Sequence, residues 1–230
     1  YGLAVTGTTG AQRAGLIFVR RGAELSRFPK MLETCDGFLL NGRLAKGLKK
    51  PSLLVAAPNG HVSEYTPRYE HGIFWHLVRF GEGPGRYIVE VPAVDRYGAQ
   101  VLSLMEVHAV AHGEPLKVPV TRLRPPPREP ESTEAAENRA LQLINRSRKQ
   151  AGLAQLAGSA RAAAEARSHA KDMALRGFFG HVSPTRGGLS RRLKRAGLSV
   201  SLARENVAIA PSPEWAHTEL LRSPSHLRNI

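Results

Sequence analysis

The segment VPVTRLRPPPREPEST, Val118 to Thr133, divides the sequence into two halves with different hydrophobic periods. Three consecutive prolines fix φ and remove the backbone donors that a helix or strand needs, so the segment is expected to be an extended spacer. Short β-type runs precede it, and apolar residues at helical spacing follow it. We therefore predict an N-terminal β domain (1–117), a proline-rich linker (118–132) and a C-terminal helical domain (133–230).

The first half has the pattern of a sheet protein. Runs rich in β-branched and aromatic residues are separated by turn signals such as PNG (58–60) and GEGPG (81–85). The runs are AGLIFVRR (14–21), GFLLNGRL (37–44), SLLVAAPNGH (52–61), GIFWHLVRF (72–80), GRYIVEVPAVD (85–95) and QVLSLMEVHAV (100–110). Their near-regular spacing predicts an antiparallel β-sandwich of immunoglobulin-like type. We interpret Trp75, Phe80 and Tyr87 as core residues, the alternative being a face that binds sugar or peptide.

The second half predicts helices packed on a small sheet. Ser132 or Thr133 caps a helix that Gly152 follows, a second helix runs from about 158 to 176 and stops at Gly177, and Ser212 caps a further one. The stretch RENVAIAP (204–211) is short and apolar, which predicts a buried strand or extended segment that begins near Glu205. The expected fold class is α+β.

The charge distribution indicates association with anions and does not identify a function. Lys and Arg total 33 against 19 acidic residues, a net charge of +14, which would attract anionic lipid, anionic cell-surface polymer or nucleic acid. The densest cluster, RRLKRAG (191–197), predicts a short amphipathic helix with Leu189 and Leu193 on one face and a solvated basic face. Nucleic-acid binding would centre on Arg191, Arg192, Lys194 and Arg195, but no RNA-binding aromatic signature, zinc finger or phosphate loop accompanies them.

Two further features of the sequence limit the class of protein to which it can belong. The apolar stretches fall far short of the ~20 residues that span a bilayer, so no transmembrane helix is predicted. Cys35 is the only cysteine, which excludes an intrachain disulfide.

Three residues of the helical half form the candidate site: His181, Glu205 and His226. Each is predicted at the end of an element, beside a turn, where a side chain can point into a cleft. Two imidazoles and a carboxylate suit Zn²⁺ with an open position, and they also suit acid–base chemistry. The alternative is that all three are partly buried groups hydrogen-bonded to loops.

Other polar residues nearby are given structural roles. His169 lies on the inner face of its helix and is expected in the core, and Asp172 is expected to pair with an arginine or cap a loop. Ser183 lacks the Gly-x-Ser-x-Gly elbow and is interpreted as a turn residue. Asn145 and Asn206 are expected to bond neighbouring backbone groups.

Five ordered motifs of the second half closely resemble bacterial members of the CAP superfamily, the cysteine-rich secretory, antigen 5 and pathogenesis-related proteins. They are LINRSRKQAGLAQL (143–156), ARSHAKDMALRGFFGHVSP (166–184), RLKRAG (192–197), ENVAIA (205–210) and SPSHLRNI (223–230). The resemblance implies an α-β-α sandwich. It also implies that further strands would follow Ile230, so that the domain is expected to be incomplete at its C-terminal end.

The resemblance also implies roles for single residues. His181 matches the first histidine of the family cleft, Glu205 the first glutamate and His226 the second histidine. A second glutamate, found in the eukaryotic branch, has no clear match here, and its place falls near Ser223. Glu219, about one helical turn earlier, would reach the cleft only if the helix register differs.

The family further implies an extracellular or cell-envelope location. We therefore favour a binding protein whose cleft takes a divalent metal or a small polar or lipid ligand. The alternative is a metal-assisted or Ser/His hydrolase that acts on peptide or cell-wall material, and whether the protein is an enzyme stays open.

Overall fold

The computed structural model describes residues 2–8, 11–17, 22–34, 36–114 and 132–230. Cys35 and all but the last residue of the predicted linker 118–132 lie outside these ranges. The strands are β1 (Gly2–Thr8), β2 (Ala11–Ile17), β3 (Ala23–Leu25), β4 (Met31–Glu33), β5 (Gly37–Leu44), β6 (Leu53–Ala56), β7 (Val62–Tyr65), β8 (Arg68–Glu70), β9 (Ile73–Arg79), β10 (Gly85–Asp95) and β11 (Gly98–Val110).

The strands form three sheets. One has the order β4-β11-β10-β6-β7, the second has the order β3-β5-β9-β8, and β1 and β2 pair as a separate hairpin. All pairs are antiparallel except β4 with β11, which is parallel, so the larger sheet is mixed. The predicted α+β class is confirmed, and the immunoglobulin-like topology stays a prediction.

The two larger sheets share one hydrophobic core. Leu40, Phe74 and Val78 come from β5 and β9, and they pack in the same cluster as Tyr87 and Val89 of β10. Phe80 and Tyr87 are fully buried and meet edge to face at 5.1 Å. The prediction of these two aromatics as core residues is confirmed, whereas Trp75 is only half-buried.

Strand β10 is buried on both faces. Alternate residues of a strand point to opposite sides, and the set Tyr87, Val89, Val91 and Ala93 faces the core between the sheets. Ile88 and Glu90 therefore face the other side, yet both are buried. The helical half supplies the cover there, because Ile88 shares a small cavity with Leu221 and Pro224.

Five helices follow: α1 (Thr133–Gln150), α2 (Ala160–Arg176), α3 (Leu189–Arg195), α4 (Pro213–Arg222) and the short α5 (Pro224–Leu227). The predicted caps of α1 and α4 are confirmed, since Ser132 accepts a hydrogen bond from the Ala135 N–H and Ser212 from the Trp215 N–H. Gly177 ends α2 in the left-handed conformation, with φ +63°, as its position predicts.

The prediction of a small sheet within the helical half is wrong for the residues that the structure describes. Residues 204–211 are irregular, Ile209 is 84% exposed, and the range 132–230 contains only the isolated bridge between Ser183 and Gly187. A strand persists only where a neighbour pairs its backbone groups, and among the described residues no backbone–backbone hydrogen bond involves 204–211. The helices instead lie against β6 and β10 of the first half.

The basic helix also departs from the prediction at one position. Arg191, Lys194 and Arg195 are exposed as expected, but Arg192 is only 1% exposed. The expectation that Arg192 belongs to a solvated basic face is wrong, because two carboxylates from outside α3 draw its guanidinium inward. Because Arg192 is buried, it cannot belong to a nucleic-acid surface, and the alternative that centred such a surface on all four cations is wrong for this residue.

Contacts join the two halves at the tip of the β10–β11 hairpin. The Val182 N–H donates to the Tyr97 carbonyl at 2.9 Å, and the Gln100 amide donates to the Phe179 carbonyl at 3.3 Å. The guanidinium of Arg228 pairs with Glu64 at 2.8 Å. The domain boundaries themselves stay a prediction.

Limited proteolysis is expected to cut first within residues 124–130, because a proline-rich spacer offers a protease extended backbone. Mass spectrometry of the earliest fragments locates the cut. Early fragments that end inside β10 or α1 would place the boundary elsewhere.

Candidate functional site

The three predicted site residues line one cavity of about 650 Å³. His181 follows α2, Glu205 lies in the irregular segment after α3, and His226 belongs to α5. The His181 Nδ1 lies 3.0 Å from Glu205 Oε1. The remaining wall combines apolar side chains of both halves, among them Leu104, Phe179 and Val207, with charged ones such as Lys50 and Arg204.

The loop before His181 is anchored on the β10–β11 turn. Phe178 is buried and stacks on Tyr97 with ring centroids 5.5 Å apart. Gly180 has φ +147°, and a Cβ at this position would lie 2.6 Å from the Tyr97 carbonyl oxygen. Only glycine allows this close approach, which holds the His181 backbone against the turn.

A buried ion-pair network holds Glu205. The Arg192 guanidinium donates to Glu205 Oε1 at 2.8 Å and to Oε2 at 2.7 Å, and it also contacts Glu165 at 3.5 Å. Arg186 pairs with the same Glu165 at 2.6 Å. Burial alone would raise the pKa of Glu205, but hydrogen bonds from His181 and Arg192 and the charge of Arg192 outweigh it, so the pKa falls below its ordinary value.

His226 is held by a second polar cluster. Its Nδ1 lies 2.6 Å from the Ser223 Oγ, and that hydroxyl donates to Glu90 Oε2 at 2.6 Å. Burial lowers the pKa of His226, the Glu90 carboxylate opposes this, and the charge of His181 lowers it further. Asn145 bonds both backbone groups of Leu156, in the segment after α1, as predicted. The Asn206 amide instead donates to the His226 carbonyl at 3.0 Å, 20 residues away in α5, so the neighbouring-turn role predicted for Asn206 is wrong.

The structural roles predicted for the neighbouring residues are confirmed. His169 is buried and its Nε2 bonds the Gly180 carbonyl at 2.9 Å. The Ser183 hydroxyl is buried, donates to Asp172 at 2.6 Å and accepts from the Arg186 N–H at 2.9 Å. Asp172 also pairs with Arg176 at 2.7 Å.

Sequence reasoning missed Glu90 and Arg192 as parts of this site, and it named Ser223 only as the place of the unmatched family glutamate. Glu90 reaches Ser223, the position where the family's second glutamate has no match in this sequence. The glutamate in the otherwise apolar run YIVEV (87–91) was the available signal, because a carboxylate inside a strand buried on both faces needs a partner.

The candidate metal ligands of the cleft are the two imidazoles and the Glu205 carboxylate. Within the described part of the chain, no group of three or more His, Cys, Asp or Glu side chains is arranged to hold one. Both oxygens of Glu205 already accept from Arg192, which leaves the two imidazoles as the available ligands. The zinc prediction at His181, Glu205 and His226 stays a prediction.

Comparison with known proteins agrees with the motifs. Residues 141–230 match the family model "CAP: Cysteine-rich secretory protein family". Over 102 residues the chain is 32% identical to the uncharacterized protein YkwD of Bacillus subtilis (strain 168), a match that covers 44% of this chain and 40% of that protein. The resemblance is confirmed for the C-terminal part of the chain by the match of residues 141–230 to this family model. The chain spans less than half the length of the curated relative that it matches.

Two solved structures are similar to this chain, but more weakly than the family model and the relative from Bacillus subtilis. An extracellular protein containing a SCP domain from Bacillus anthracis str. Ames is 18% identical, with a TM-score of 0.40 over 83% of this chain and 73% of that one. CopC from Methylosinus trichosporium OB3b is 12% identical, with a TM-score of 0.31 over 41% of this chain and 99% of that one. These scores are too low to establish a shared fold.

Proposed function

We propose that this chain is a secreted or cell-envelope CAP-domain protein whose cleft binds a small polar or lipid ligand at His181 and His226. The observation that supports this most directly is that both imidazoles line one cavity of about 650 Å³, whose wall combines apolar and polar side chains. Each ring bonds a neighbour through Nδ1, and among the described residues no group bonds either Nε2. A ligand with a polar head and an apolar body suits such a pocket.

The location rests on the family, whose description is that of secretory proteins. No helix in the described ranges is long and apolar enough to cross a bilayer. The exposed cations Arg191, Lys194 and Arg195 would favour an anionic cell-surface polymer as a further partner.

Binding of n-decanol, a hydroxyl on an alkyl chain, tests the pocket. The variant Ala208→Trp places an indole at the cavity wall and is expected to weaken binding at least about tenfold, as the loss of a good pocket contact does. Isothermal titration calorimetry measures the change. The matched control is Ala203→Trp, an exposed position of the same segment that does not line the cavity.

If Ala208→Trp and Ala203→Trp bind n-decanol as the wild type does, the alcohol does not occupy this cleft. His181→Ala and His226→Ala should each weaken binding, whereas His61→Ala, an exposed histidine of the β half, should not.

We also propose that the cleft could bind a divalent metal ion in place of a small polar or lipid ligand. Zn²⁺ would take lone pairs from the two Nε2 atoms, and His181→Ala and His226→Ala are expected to abolish its binding. Titration of Zn²⁺ into both variants and into Glu205→Gln measures this. Equal affinity in all of the proteins would remove the metal from the proposal.

For the hydrolase alternative, the serine that contacts a site imidazole in the described part of the chain is Ser223, whose Oγ lies 2.6 Å from His226 Nδ1. That hydroxyl is 2% exposed and donates to Glu90. A nucleophile must reach the substrate with its proton directed to the base, and neither condition favours Ser223.

A further inference from the structure

Glu90 is a carboxylate from the β half that lies beneath the CAP-domain cleft. It sits on β10 between its cross-strand neighbours Leu54 and Leu104, and it is fully buried. Its Oε2 accepts from the Ser223 hydroxyl at 2.6 Å and from the Ser225 N–H at 3.3 Å. No described residue bonds its Oε1. A buried carboxylate held by so few donors needs an explanation beyond packing.

The direction of the hydrogen bonds follows from the inventory of donors. The Ser223 hydroxyl has a single hydrogen, and it donates that hydrogen to Glu90 Oε2. The Ser223 Oγ then has only lone pairs left for His226, and at 2.6 Å the imidazole must supply the hydrogen through Nδ1. Ser225 Oγ, at 3.3 Å from the Ser223 Oγ, is a weaker neighbour and leaves this direction unchanged.

We propose that Glu90, acting through the Ser223 hydroxyl, fixes His226 as the Nδ1–H tautomer and so keeps its Nε2 lone pair free toward the cleft. Glu90 is thus a positioning residue of the site, supplied by the β half. The partner of one ring nitrogen sets the state of the other, because a neutral imidazole carries only one ring hydrogen.

The same logic applies to His181, whose Nδ1 faces the Glu205 carboxylate at 3.0 Å. When both rings are neutral, the cleft presents two acceptor nitrogens and no imidazole donor. This consequence, which rests on the proposed function, specifies a ligand that donates hydrogen bonds, such as an alcohol, in preference to a carboxylate or an ether.

The test reads the tautomer directly and needs no ligand. Two-bond ¹H–¹⁵N correlation spectra of the neutral side chain distinguish a protonated from an unprotonated ring nitrogen. The wild type is expected to have His226 protonated at Nδ1. Glu90→Leu frees the Ser223 hydrogen to donate to Nδ1, and Ser223→Ala removes the link, so in both variants the dominant form should switch to Nε2–H, the form that free histidine favours.

Glu70→Gln is the matched control, because it removes an exposed carboxylate from β8 in the other sheet. It should leave the His226 tautomer unchanged, and circular dichroism checks the folding of each protein. Nε2–H in the wild type, or Nδ1–H retained in either variant, overturns the proposal. Ser223→Ala keeps the test decisive if Glu90→Leu does not fold. Failure of n-decanol to bind leaves these spectra unaffected, so the proposed function can fail separately.

Discussion

Arg192→Ala is expected to lower the free energy of unfolding by about 3–5 kcal/mol, the usual cost of removing one partner from a buried ion pair. The guanidinium is 1% exposed and contacts Glu205 and Glu165, which are 14% and 7% exposed at their side chains. Arg186 remains for Glu165, but Glu205 would be left with His181 alone. Urea denaturation of the two proteins measures the difference.

The adjacent cations of α3 provide the control. Arg191 and Arg195 are exposed, and reversing both to glutamate should change stability by no more than about 0.5 kcal/mol per site. Equal losses in the Arg192 variant and the double reversal would mean that the buried network does not exist in solution.

The network also predicts a pH dependence. The pKa of folded Glu205 lies below its ordinary value of 4.5, so its contribution to stability is complete above about 4.5 and is lost as the pH falls through the folded pKa. The advantage of the wild type over Glu205→Gln, measured in urea, should shrink below that pH. An advantage that grew on acidification would contradict the assignment.

Phe178→Ala is expected to cost about 3–5 kcal/mol, because the ring is buried and the substitution leaves a cavity beside Tyr97. The same change should weaken ligand binding, since the ring fixes the loop that carries His181. Thermal or urea unfolding measures the first effect and n-decanol titration the second.

Leu175→Ala is the matched control, because this side chain lies on the same helix end and is 87% exposed. Its stability and binding should equal those of the wild type. A Phe178 variant that kept full stability would show that the loop does not pack on the β10–β11 turn.

The local signals predicted much of the fold. GFLLNGRL and GRYIVEVPAVD coincide with β5 and β10, and the serines before α1 and α4 act as the expected caps. These features depend on neighbouring residues alone, so the sequence contains them. The same is true of Gly177 at the end of α2.

The predictions that were wrong concern residues whose surroundings are formed by segments distant in the sequence. Helical spacing placed Arg192 on a solvated face, but its partners lie 27 residues before it and 13 after it. The apolar run ENVAIA suggested a strand, but pairing depends on a neighbour that no local pattern reveals. The run YIVEV indicates that Glu90 needs a partner, but that this partner is Ser223 depends on where the helices lie over β10.

The most direct test of the proposed cleft is a titration of the wild type with n-decanol, followed through the side-chain ¹⁵N resonances of His181 and His226. Both histidines line the same cavity, so their Nε2 signals are expected to shift together and to saturate at the same ligand concentration. Shifts confined to other histidines, or two different saturation points for His181 and His226, would contradict a single shared binding site.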